Sequence, residues 1–164
     1  MNEFSHQQHA HCESGALSVL LTHYGLSISE PMIFGITSSL SFVFLPVVKL
    51  NNMPLISYRD MPRNMVKKLP KILNMEMAQK RYDDPHAADR ELTELLNAGK
   101  LVGLQTSVYY LPYFPKDMRF HFNAHNLVVC QKQDDNYLIS DPVFEDLQWC
   151  DARGLTKARF AKGV

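Results

Sequence analysis

His11-Cys12-Glu13-Ser14-Gly15, continued by Ala16-Leu17-Ser18-Val19-Leu20-Leu21-Thr22-His23-Tyr24 and closed by Gly25, is the stretch on which the reading of this chain turns. Apolar side chains at 16, 17, 20, 21 and 24 recur at the helical period, which predicts an amphipathic helix. Gly25 follows the last of them, and glycine most readily takes the left-handed conformation that ends a helix. Cys12 therefore stands in a first helical turn, where unpaired N–H groups and the positive end of the macrodipole favour thiolate over thiol. Such a cysteine is a candidate nucleophile; a buried, inert structural cysteine is the competing reading.

Downstream of that helix, Ser29 offers a cap and Pro31 a first-turn residue for a short helix ending at Gly35. Residues 40–48 predict one or two strands around Pro46. The apolar window 40–50 reads as buried core, because Ser41, Pro46 and Lys49 interrupt it far short of the roughly 20 residues a bilayer span needs. Val66, Leu69, Ile72 and Leu73 have helical spacing, with Pro70 kinking or cutting the run. Asp84-Pro85 starts a further helix striped by Leu92, Leu95 and Leu96 and ended by Gly99. A strand over 101–106, a tyrosine-rich loop over 109–115, and strands over 124–132 and 136–140 around a turn at 133–135 come next. A short strand at 146–149 and a closing helix within 151–161 complete the order. Helices first and mainly antiparallel strands after them predict an α+β domain, a helical half packed on a sheet.

A chain of 164 residues, 46% hydrophobic and 21% charged, has the size and composition of one globular domain. Its 17 basic and 17 acidic residues give a formal net charge of zero, so nothing attracts it globally to nucleic acid or to an anionic membrane. The three cysteines, 12, 130 and 150, lack CxxC spacing, which argues against a disulfide framework or a zinc ribbon and for a reducing, cytoplasmic setting. The first residues, from Met1-Asn2-Glu3 onward, carry neither the basic start nor the apolar stretch of a secretory signal.

His125 opens the first strand of the predicted hairpin and Asp141 follows the second. A turn at 133–135 places position 125 opposite positions near 142–144, so a carboxylate at 141 lies within reach of the imidazole. Cysteine nucleophiles need a base to take the proton and a third group to fix that base's tautomer, and Cys12, His125 and Asp141 fill the three roles. Their chain order is compatible with the papain-type order of helix cysteine, strand histidine and orienting carboxylate or amide. The Cys12 backbone N–H is one oxyanion donor, with Gln7, Gln8 and His11 as side-chain candidates for another. Tyr109, Tyr110 and Tyr113 are candidates to line a substrate groove. His6, His9, His11 and Cys12 are of metal-ligating type, but histidines near a terminus are more often solvated and a metal would silence the thiolate, so no metal is expected. Lys67, Lys68, Lys71, Lys80 and Arg81 read as a solvated basic face rather than a docking site.

Several separate blocks carry a family resemblance: 11–17 with Leu20-Leu21 and Gly25-Leu26; Ser29-Glu30-Pro31-Met32-Ile33-Phe34-Gly35; Tyr109-Tyr110-Leu111-Pro112-Tyr113; His121 to Val129; and Ile139-Ser140-Asp141. In this order they resemble the N-terminal domain family of butirosin biosynthesis protein H, a family of secondary-metabolite biosynthesis. The resemblance implies a papain-like, C39-like cysteine peptidase fold and acyl transfer from an acyl carrier protein or acyl-CoA donor to a small-molecule amine acceptor, with no cofactor. By position, Cys12 would take the acyl group as a thioester, His125 would act as base and Asp141 would orient it. A C39-like peptidase or amidase, and a non-catalytic module that binds a carrier protein, are the alternatives. The family's glycine-rich stretch is Ile36-Thr37-Ser38-Ser39-Leu40-Ser41-Phe42 here, and its acidic residue before the tyrosine block is Ser107. The expectation is a single domain over residues 1–164, with the second, C-terminal domain usual in the family absent. The sequence leaves the oligomeric state, the acyl chain and the acceptor open.

Overall fold

In the computed structural model, which describes residues 4–50 and 52–162, the helix begun at Cys12 lies between a sheet and two further helices. Met1, Asn2 and Glu3 at the start, and Gly163 and Val164 at the end, fall outside the described residues. Helix α1 (Cys12–His23) packs Leu17 and Leu21 against Ile33 of α2 (Glu30–Ile36) and against Met65 and Leu69 of α3 (Asn64–Ile72). Its other flank sets Ala16 and Val19 against Val128 of the sheet. Ser14, Gly15 and Ser18 are buried as well, so α1 is enclosed on nearly every side instead of keeping the wet face its apolar periodicity predicted. Gly25, with φ of +90°, ends the helix as expected, and the Leu26 N–H reaches back to the Leu21 carbonyl at 2.8 Å.

Four antiparallel strands form the sheet in chain order: β3 (Val102–Thr106), β4 (His125–Gln133), β5 (Asn136–Ser140) and β6 (Gln148–Asp151). The fold is thus α+β, as predicted, with β6 starting two residues later than the sequence implied. Leu127, Val129, Tyr137 and Ile139 are completely buried against Leu92 of α4 (Pro85–Asn97) and Leu155 of α5 (Ala152–Arg159), closing a second core on the face away from α1. Each such side chain contributes about 1.5–3 kcal/mol. Asp84 caps α4 by accepting the N–H groups of His86 and Ala87 at 2.9 and 3.2 Å.

Pro70 sits inside α3 without ending it. A proline there removes the donor for the carbonyl four residues earlier, that of Val66, and the Gln79 side-chain amide supplies the missing hydrogen bond at 3.1 Å. Among the described residues no helix is long and apolar enough to cross a membrane.

The window 40–50, expected in the core, is not there. It forms β1 (Leu40–Leu50), which among the described residues pairs only with β2 (Met53–Arg59), a strand not expected from the sequence, in a separate two-stranded hairpin. Val47 is 88% and Leu40 80% exposed, and Phe42, Phe44, Met53, Ile56 and Tyr58 are exposed too. Pro46 has no N–H to give the ladder, and the register shifts between Leu45 and Lys49 as it passes that residue.

Candidate active site

Two strand ends and one helix start bring the chemistry together. Val128 faces Ser140 and Gln133 faces Asn136, the alignment that the turn at 133–135 predicted. Pairing stops at Ser140, which frees Asp141 to turn back toward His125 at the start of β4. The His125 Nε2 lies 2.8 Å from Asp141 Oδ2, with both side chains buried. Asp141 Oδ2 also accepts the Tyr113 hydroxyl at 2.7 Å, and its Oδ1 accepts the Val143 N–H at 3.0 Å. Phe114 meets the His125 ring edge to face, with centroids 5.6 Å apart. With Nε2 committed to Asp141, Nδ1 is the ring nitrogen left for the Cys12 thiol, and each of the two groups shifts the protonation of the other. Cys12 itself remains partly accessible.

The electrostatics follow from these contacts. Burial alone would push the Cys12 thiol up, but the hydrogen bond and charge of His125, the Asn126 backbone N–H and the Arg59 charge bring it below its ordinary value. Burial likewise opposes protonation of His125, yet its bonds to Asp141 and Cys12 raise it to about 9. The two shifts reinforce one another and favour a thiolate–imidazolium pair over a thiol and a neutral imidazole. Cys130 and Cys150 lack such partners, and burial pushes each up to about 12.

Two carboxylates build the frame around Cys12. Glu30 accepts the backbone N–H groups of Ala10 and His11 at 3.0 and 2.6 Å and the Ser14 hydroxyl at 3.2 Å, which fixes the segment entering α1. Buried Glu13 accepts the N–H groups of Arg63 and Val66 at 3.2 and 3.3 Å, capping α3 from the residue beside the nucleophile. The lead-in is tied to the Asp141 loop by three further residues. His6 Nδ1 is 2.8 Å from Ser140 Oγ, the Gln8 amide donates to the Val143 carbonyl at 2.9 Å, and the His9 N–H donates to the Pro142 carbonyl at 2.8 Å. Gly15 permits this approach, since a Cβ there would fall 2.6 Å from that of His9.

Several sequence-predicted residues take other places. His11 is the N-cap of α1: its Nε2 accepts from Arg59 Nη1, which leaves the ring proton on Nδ1 to be donated to the Ser14 hydroxyl oxygen 2.9 Å away, so neither nitrogen is left for an oxyanion. Burial and the Arg59 charge hold that ring down at about 4. Gln8 is spent on Val143, and exposed Gln7 borders a cavity of about 500 Å³ with Ala10, Ser29, Glu30 and Pro31, whose walls do not include Cys12. The Cys12 N–H, at the first helical position, has no partner within the helix. Tyr113, expected in a substrate groove, instead holds Asp141. Tyr109 is exposed and stacks on His121 at 4.0 Å, while Tyr110 packs partly on the core.

The candidate metal ligands disperse to separate partners, and among the described residues no group of three or more His, Cys, Asp or Glu could hold an ion. On the basic face, Lys68 pairs with Asp60 at 2.7 Å and Lys80 with Glu91. Glu13, Glu30 and Arg59 were not legible as site residues. Glu30 lay in a recognisable block but read only as part of a helix start, and Arg59 belongs to the unassigned strand.

The sequence profile of the family described as butirosin biosynthesis protein H, N-terminal, matches residues 11–142. A crystal structure of a Bacillus anthracis protein described as a C39-like peptidase superposes with a TM-score of 0.68 at 16% identity, covering 96% of this chain and 89% of that one. That likeness establishes the papain-like fold. No curated protein matches the sequence.

Proposed function

Since the chain belongs to the butirosin biosynthesis protein H N-terminal family, we propose that it is a cysteine-dependent acyltransferase that moves an acyl group from a carrier-protein or coenzyme A thioester to a small-molecule amine. The observation that carries this reading is the placement of Cys12 at the start of α1, its thiol lowered by a histidine whose Nε2 is held by Asp141 at 2.8 Å. In the first step the Cys12 thiolate attacks the thioester carbonyl, the oxyanion forms beside the Cys12 N–H, and the donor sulfur departs with the proton of the His125 imidazolium. In the second, the amine attacks the acyl-Cys12 carbonyl and gives its proton to neutral His125. Collapse expels the Cys12 thiolate and restores the ion pair. One thioester replaces another in the first step at nearly equal energy, so positioning counts for more than driving force there. Asp141, buried and held by Tyr113 and the Val143 N–H, keeps the ring turned for both steps.

The same machinery with water as acceptor is a peptidase, and the likeness to the C39-like structure fits that outcome at the level of fold. Offering the protein a panel of acyl thioesters with and without amines, and parallel peptide substrates, separates the two. Amide product formed from thioester and amine, and lost in Cys12→Ser, is expected. Cleavage of peptides with no reaction of any thioester would move the assignment to a peptidase.

A further inference from the structure

We propose that Arg59 forms an anion subsite beside Cys12, built to take a carboxylate carried on the acyl group a few bonds from its thioester carbonyl. This inference deepens the acyl-transfer reading and rests on it. Arg59 is the last residue of β2 and pairs with Leu40 at the root of the exposed hairpin. Its Nη1 donates to the Nε2 of His11, the residue preceding the nucleophile. The guanidinium is partly buried, yet among the described residues no carboxylate lies within ion-pair distance of it. Glu30, the acid that reaches His11, is spent on the Ala10 and His11 N–H groups, the Ser14 hydroxyl and His9. His11 holds the guanidinium without neutralising it, because an imidazole kept unprotonated accepts a hydrogen bond and brings no charge.

A partly buried cation with a neutral partner normally finds a counterion, and the guanidinium fork matches a carboxylate in shape as well as charge. His11 thus holds the guanidinium at the residue next to the nucleophile, and the Arg59 charge acts on the Cys12 thiol. Leu40, its cross-strand neighbour, lends an apolar surface on the same side of the hairpin for the carbons between carboxylate and thioester.

The test compares alkylation of Cys12 by iodoacetate and by iodoacetamide, which share reach and leaving group and differ in charge, in the 164-residue chain and in Arg59→Gln and Arg59→Lys, with folding checked by circular dichroism. The preference for iodoacetate should fall roughly five- to tenfold in Arg59→Gln and be largely kept in Arg59→Lys. A ratio unmoved in Arg59→Gln removes the subsite while leaving the nucleophile standing. Cys12 inert to both reagents in every form removes the acyl-transfer reading and the subsite with it.

A second arm needs no variant: N-acetylcysteamine thioesters of glutarate and pentanoate, which lack phosphate, are compared for adduct formation on the unaltered protein. Faster acylation by the glutaryl thioester supports the assignment, and equal rates overturn it. If Arg59→Gln slows coenzyme A thioesters alone, the anion recognised is the donor's phosphate and the carboxylate assignment fails.

Discussion

The β4–β5 hairpin and the β1–β2 hairpin are both rich in valine, leucine and isoleucine, yet Val128, Val129 and Ile139 are wholly buried while Val47 is 88% exposed. Strand β4 has α1 on one face and α4 with α5 on the other. Among the described residues β1 pairs with no strand but β2, and most of the hairpin's large apolar side chains stay exposed. Burial is therefore a property of the layers a strand meets, and composition alone does not set it. The same contrast locates the chemistry: the enclosed hairpin holds His125 rigidly at its end, and the open one brings Arg59 to the edge of the site.

Substitutions that break the enclosed half should have the largest effects. His125→Ala is expected to slow acylation of Cys12 by about 10²–10⁴-fold, followed by intact mass spectrometry against time. Leu127→Ala, at a fully buried β4 position, should cost about 2–5 kcal/mol in urea unfolding.

A third test uses pH. His125 is raised from 6.5 to about 9, so the contribution of its protonated ring is full below 6.5 and is lost as pH climbs through 9. Cys12 is lowered from 9.0, so its thiolate contribution is present above that value and is lost as pH falls through the lowered one. Where the two windows overlap, above both 6.5 and the lowered Cys12 value and up to about 9, the slopes oppose each other, because there the pair holds one proton folded or unfolded, and stability should change little. In Cys12→Ser the histidine keeps its Asp141 partner and loses the thiolate, so a smaller histidine slope stands alone and stability should fall by on the order of 1 kcal/mol across the same window. Parallel stability curves for the two proteins would contradict the ion pair.

Smaller effects follow away from the triad. Glu13→Gln keeps one acceptor for the start of α3 and loses the charge and one cap, a cost of about 1–2 kcal/mol by the same unfolding measurement. Val47→Ser on the open hairpin should stay within about 0.5 kcal/mol. A loss comparable to that of Leu127→Ala would mean that β1 has a covering layer after all.

Most of the enclosed half was legible in the sequence because its signals are local. Gly25 ends α1, Asp84-Pro85 starts α4, and the turn at 133–135 sets the register that leaves Asp141 beside His125. The open hairpin was not, since an apolar run has the same pattern whether or not a layer lies over it. The frame of the site was also hidden. Glu30 reaches back to Ala10 and His11, and Glu13 forward to Arg63 and Val66, through side-chain to backbone bonds that no periodicity encodes. His11 and Tyr113 carried the right chemistry for roles they do not take, because which partner a ring or hydroxyl finds depends on the tertiary packing.

The central claim, that one of three cysteines is held as a thiolate by His125, is tested most directly by iodoacetamide labelling as a function of pH with each site mapped by mass spectrometry. Cys12 should react fast at neutral pH, with an apparent pKa below the ordinary thiol value, while Cys130 and Cys150, pushed up to about 12, stay unlabelled in the folded protein. A Cys12 rate that titrates like a free thiol, or that is unchanged in His125→Ala, would contradict it.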